Sequence, residues 1–184
     1  MNKKYDMHNR RSIRLKEFDY TQPGAYFVTV CTWRRENLFG DVVDGEVRLN
    51  ERGHIVKECW NGIPEHFPQV DLDAFVVMPN HIHGIIVIKG NDDVVGATHA
   101  SPLRKKSGST PKSLGAMVVS FKSATARRIK DKVGEIGIWQ RNYYERVIRD
   151  EKEWDLIRRY IETNPDNWEQ DEENPARVIV RPEQ

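Results

Sequence analysis

His81 and His83 stand one residue apart, directly after Pro79-Asn80, between the apolar runs Phe75-Val76-Val77-Met78 and Ile85-Ile86-Val87-Ile88. Strand side chains alternate between faces, so both imidazoles project to one side while Ile82 projects to the other. That arrangement offers two nitrogen ligands to one metal ion; two partly exposed histidines beside a hairpin turn have the same spacing. Tyr160 and Asn164 are four apart, one turn from each other on one face of a helix. A tyrosine phenol has a pKa of about 10 and is a weak nucleophile at neutral pH. Against a phosphodiester it needs a Lewis acid on the phosphate, and a divalent ion supplies one. The Asn164 side-chain oxygen is then a candidate third ligand. Imidazole with an amide oxygen suits Mg²⁺ or Mn²⁺ better than a closed zinc site, and no cysteine stands near the pair. Taken singly, Tyr160 also fits a core-edge tyrosine, and Asn164-Pro165 a helix stop.

The elements that must position these residues can be read from pattern. Ala25 to Trp33 alternates as a strand with two fairly apolar faces, as expected of a central one. Arg34 to Gly40 reads as a loop, Asp44-Gly45 as a turn, and Glu46 to Leu49 as a short edge strand. Asn50 is an N-cap for a helix to about Gly62, ended by Pro64. Asp71 to Met78 and Ile82 to Ile88 form an antiparallel pair across a tight Pro79-Asn80 turn. Pro111 to Lys130 is an amphipathic helix, with Leu114, Met117, Val118, Phe121, Thr125 and Ile129 on one face. Tyr144 to Arg149 is a strand. Asp150 caps a last helix, with Glu153 placed as in a capping box and Trp154, Ile157 and Ile161 as its core stripe. Strands in antiparallel runs with helices between them predict an α+β sandwich, with a ferredoxin-like split βαβ as the leading arrangement.

The 184 residues suit one domain with appendages. We divide them into a basic N-terminal arm (1–22), a catalytic domain (23–168) with an exposed mobile loop at 91–110, and an acidic tail (169–184). No apolar run approaches the roughly 18 residues of a membrane span, and the first residues lack the apolar core of a signal peptide. Cys31 and Cys59 read as buried free thiols, which fits a reducing, cytoplasmic compartment. The net charge of +1 hides an asymmetry. Nine basic residues against one acid lie between Ser101 and Lys132, and eleven acids against five basic residues lie between Asp150 and Gln184. The basic stretch is either a local footprint for a polyanion or a solvated helix face.

Phe75 to Ile88 resembles the His-hydrophobic-His segment of the single-domain tyrosine transposases of bacterial insertion sequences. Trp139-Gln140, Tyr143-Tyr144, Ile148-Arg149-Asp150-Glu151 and Tyr160-Ile161-Glu162-Thr163-Asn164-Pro165 are similar to one branch of them, the REP-associated tyrosine transposases. Arg11-Ser12-Ile13-Arg14-Leu15 and Gly24-Ala25-Tyr26-Phe27-Val28-Thr29-Val30 extend the resemblance to the front, so it runs from about Arg10 to Trp168. The histidine segment alone is moderately specific; the blocks in this order are strongly so.

The resemblance implies a ferredoxin-like fold and metal-dependent cleavage and rejoining of single-stranded DNA beside hairpins. It maps the metal ligands onto His81 and His83, the nucleophile onto Tyr160, and the third ligand onto Asn164, where related insertion-sequence enzymes have the longer Gln. Tyr143 and Tyr144 are rival nucleophiles, set aside because they fall on a predicted strand with no ligand one helical turn away. The implied product is a 5′-phosphotyrosine link and a free 3′-hydroxyl. Arg10, Arg11, Arg14, Lys122, Arg127, Arg128 and Lys130 are candidates for phosphate contacts. Trp33, Trp139 and Tyr143 are candidates for stacking on unpaired bases, with core packing as the competing role. The expected partner is hairpin-bearing single-stranded DNA and not a membrane, and the expected state a monomer or homodimer. A hairpin-binding regulatory protein with little cleavage is the alternative, because basic and aromatic residues suffice for binding.

Overall fold

A computed structural model gives the architecture for residues 18–90 and 111–177. The arm residues Arg10, Arg11 and Arg14, the loop at 91–110 and the end of the acidic tail lie outside the described residues. Four strands form one sheet: β1 (Gly24–Cys31), β4 (Val70–Val77), β5 (His81–Ile88) and β6 (Tyr144–Ile148), in the order β4-β5-β1-β6. Every neighbouring pair is antiparallel. With α1 (Glu51–Asn61) between β1 and β4, and α3 (Leu114–Val133) between β5 and β6, this is the ferredoxin-like split βαβ arrangement. The predicted edge strand at Glu46–Leu49 (β3) is a strand, but it leaves the main sheet. It pairs with β2 (Gly40–Val43), which pattern alone missed, as a separate hairpin. A short helix, α2 (Ile63–His66), follows α1 and carries Pro64 in its first turn.

The sheet is covered on both faces because its central strands are apolar on both. Tyr26, Val28 and Val30 of β1 and Ile82 and Ile86 of β5 pack against Trp60 of α1 and Leu114, Met117 and Phe121 of α3. The stripe predicted for α3 is the buried one, and Ser113 caps the helix by accepting from the Ala116 amide. Gly84 lets α1 approach: a Cβ there would lie 2.3 Å from Trp60 Cζ2. Trp60 uses that space to stack on Phe75, ring centroids 4.6 Å apart.

The opposite face carries Ala25, Phe27 and Ile85, covered by Ile157 and Ile161 of α4 (Glu151–Glu162). Asp150 caps α4 by accepting from the Glu153 amide at 2.8 Å, and Glu153 reaches back to the Arg149 amide at 2.8 Å. The Asp150 contact satisfies an orphan donor of the first turn. The helix ends at Glu162, so Asn164 lies just beyond it, not on it as predicted. Its amide still bonds the Ile161 carbonyl at 3.4 Å, which keeps it one turn from Tyr160. Among the described residues, no helix is long and apolar enough to cross a membrane.

Candidate metal centre and nucleophile

β5 begins at His81, and its register with β1 sets Cys31 opposite His81 and Thr29 opposite His83. Odd-numbered residues of both strands therefore face α4, and the two imidazoles share that face as the alternation requires. His81 Nε2 and His83 Nε2 lie 3.0 Å apart. Behind them, His81 Nδ1 lies 2.8 Å from Asn80 Oδ1 and His83 Nδ1 lies 2.8 Å from Thr29 Oγ1. All four residues are buried. Burial disfavours the imidazolium, with help from Arg35, and pulls His81 down to about 3, while the Asn164 side chain pulls the other way. Burial and the neighbouring His81 hold His83 well below its ordinary value, against the pull of Asp171. Burial thus favours the neutral rings, the form that binds a metal.

Tyr160 projects from α4 onto this pair. Its Oη is 3.1 Å from His83 Nε2, and the ring centroids are 5.0 Å apart. Phe27 sits edge-on beneath the phenol at 6.1 Å and stacks on His83 at 5.3 Å, so one β1 side chain spaces both groups. The residue as a whole is 46% exposed. Burial of the hydroxyl end and the carboxylates of Asp171, Glu173 and Glu172 push the phenol above its ordinary value. A cation at the histidine pair would oppose those carboxylates.

Past Asn164 the chain turns back over the pair, and here the structure adds a residue that sequence reading placed in the acidic tail. A nitrogen from each of His81 and His83 and a carboxylate oxygen of buried Asp171 all lie within 4.8 Å of one another, a set able to hold a metal ion. Asn164 Nδ2 donates to Asp171 Oδ2 at 2.8 Å. Asn164 Oδ1 is buried and makes no well-formed hydrogen bond among the described residues. An orphaned amide oxygen costs about 1–3 kcal/mol, and a cation would satisfy it. The donor set therefore fits an oxygen- and nitrogen-binding divalent ion. Only the position of Asp171 after the turn reveals it; in sequence it is one acid among many.

One basic residue, Arg35, helps to hold the returning segment. Arg35 pairs with Glu173 at 2.9 Å and donates to the Glu172 carbonyl at 3.0 Å. The predicted phosphate contacts on α3 lie on the other side of the sheet. Arg127 and Lys130 are exposed there, and Arg128 pairs with Glu58 beside a groove between α1 and α3. Lys122 turns its ammonium to the carbonyls of Gln140, Arg141 and Asn142. Trp139 packs on Phe39 and Phe121, and Tyr143 is half-buried against the same core. Trp33 is 51% exposed, in a turn where Arg34 and Arg35 both take positive φ.

No protein-family model matches the chain. It is 43% identical over 178 residues to an uncharacterized protein of Haemophilus influenzae, covering 94% of this chain and 98% of that one. A solved structure of a REP-associated tyrosine transposase bound to a REP hairpin shares the fold, with a TM-score of 0.56 and 21% identity. It covers 82% of this chain and 72% of that one. A second Haemophilus influenzae protein, named "Putative REP-associated tyrosine transposase", is 26% identical over 147 residues, 80% of this chain and 73% of that one. The chain is thus similar to REP-associated tyrosine transposases and shares their fold. Within this fold, His81 and His83 lie on a central strand, and Tyr160 on the helix that crosses their face.

Proposed function

We propose that the protein is a metal-dependent single-stranded DNA endonuclease and strand transferase that acts at hairpin-forming repeats through a covalent 5′-phosphotyrosine intermediate. What supports this reading above all is Tyr160 Oη at 3.1 Å from His83 Nε2, beside a second imidazole and a buried carboxylate. His81, His83 and Asp171 would hold a Mg²⁺ or Mn²⁺ ion, with Asn164 Oδ1 as a further oxygen ligand. When bound, the ion supplies Lewis-acid polarisation of the scissile phosphate and charge to offset the carboxylates around Tyr160. Tyr160 Oη attacks phosphorus, a Tyr–O–P bond forms, and the bond from phosphorus to the 3′-oxygen breaks. The phenol proton ends on the departing 3′-hydroxyl. A different 3′-hydroxyl can run the step in reverse and join a new strand, because a phosphodiester replaces a phosphodiester and no ATP is required.

The partly exposed Tyr160 admits a single strand, and Trp33 offers an aromatic face for an unpaired base. Incubation with a hairpin-flanked single strand and Mn²⁺ should trap a protein–DNA adduct on a denaturing gel. Tyr160→Phe should bind the same strand and form none. An adduct that survives Tyr160→Phe would reject Tyr160 as the nucleophile; binding without nicking in the wild type would favour the regulatory binding protein.

A further inference from the structure

We infer that Asn80 is a positioning residue that locks His81 as its Nδ1–H tautomer, and that the Thr29 hydroxyl lets His83 exchange tautomers when an ion binds. Asn80 is fully buried in the turn before β5. Its Nδ2 donates to the Arg35 carbonyl at 3.0 Å and to the Glu173 carbonyl at 2.7 Å. Turning the amide over would set its oxygen against two carbonyl oxygens, so its orientation is fixed. Asn80 Oδ1 therefore faces His81 Nδ1 as an acceptor only, at 2.8 Å, and that nitrogen must carry the proton. A neutral imidazole with Nδ1 protonated has a lone pair at Nε2, aimed at His83 and the space beside Asp171.

Thr29 is a different kind of partner. A hydroxyl both donates and accepts by rotation, so it imposes no tautomer on His83. Without an ion, two Nε2 lone pairs cannot face each other at 3.0 Å. His83 Nε2–H then lies between two acceptors, His81 Nε2 at 3.0 Å and Tyr160 Oη at 3.1 Å, and Thr29 Oγ1–H donates to His83 Nδ1. With an ion, His83 Nε2 gives up its proton, Nδ1 gains one, and Thr29 turns to accept it. The ring stays neutral throughout. The rigid amide orients one ligand and the rotor accommodates the other. Only the exchange at His83 rests on the proposed metal chemistry; the His81 tautomer stands without it.

Long-range ¹H–¹⁵N spectra of the imidazoles in the ¹⁵N-labelled full chain read these states directly. In chelator, His81 should show a protonated Nδ1 and a bare Nε2, and His83 the reverse. Adding Zn²⁺, which is diamagnetic, should move the His83 proton to Nδ1 and leave His81 unchanged. Asn80→Ala should mix the His81 tautomers and weaken Zn²⁺ binding by roughly ten- to a hundredfold. A protonated His81 Nε2 in chelator would overturn the role of Asn80, as would an Asn80→Ala spectrum identical to wild type. A spectrum indifferent to Zn²⁺ would overturn the exchange at His83 together with the metal reading, while the chelator spectrum would still decide His81.

Discussion

Asp171 changes a pair of neutral imidazoles into a site with charge to hold an ion. Its carboxylate lies among His81, His83 and the Asn164 amide, and Glu173 donates its backbone N–H to Asp171 Oδ1 at 2.6 Å. Asp171→Asn keeps the shape and removes the charge. It should lower Mn²⁺ affinity by roughly tenfold or more, since metal affinity follows ligand charge, as measured by isothermal titration calorimetry. His81, His83 and Tyr160 were legible in sequence because strand and helix periods fix which side chains share a face. Asp171 was not: its acidic surroundings give it no distinguishing spacing, and only a turn past Pro165 brings it home. Lys122 shows the converse. A helical period gives the angle at which a side chain leaves, not where a long flexible stem ends, and here it ends on three backbone carbonyls.

An acceptor on an edge strand helps to seat the helix carrying Tyr160. Asp73 lies where the β4–β5 register shifts, between Leu72 and Phe75. It accepts from Trp154 Nε1 and from Arg158, whose Nε is 2.8 Å away. Asp73→Ala should cost about 2 kcal/mol, because it orphans donors at a half-buried site. By differential scanning calorimetry, that is a fall in Tm of about 4–8 °C. Adduct formation should slow as well, although no ligand is altered, because α4 is free to shift. On the other face, Gly84→Ala forces a methyl into Trp60 and should destabilise by about 1–3 kcal/mol in denaturant titration. Long periodic elements such as α3 were legible in sequence; β2 was not, because Gly40-Asp41-Val42-Val43 is too short to show an alternation. The departure of β3 from the main sheet was equally hidden, since an edge strand and a lone hairpin have the same local pattern.

The molecule is layered, with Tyr160 on one side of the sheet and the basic helix α3 on the other. If α3 contributes to DNA binding, its charges act away from the scissile phosphate and affect affinity alone. Replacing both Arg127 and Lys130 with Gln should weaken binding of the hairpin strand. It should also reduce the dependence of log affinity on log salt by about 0.7 to 0.9 for each phosphate that is no longer neutralised. Adduct yield at saturating DNA should be unchanged, as gel quantitation would show. Layering was legible because β1 and β5 are apolar on both faces, which requires cover on both. Which helix covered which face was not, since both stripes are apolar.

The turn that carries Asp171 back to His81 joins residues 90 positions apart in the chain, and Thr29 behind His83 draws in the first strand. An ion held there acts as a clasp across nearly the whole fold. It binds the native chain and not the unfolded one, so a hundredfold excess over its dissociation constant adds about 2.7 kcal/mol of stability. If the proposed cleavage requires that ion, the protein is also at its most resistant to unfolding when it is armed.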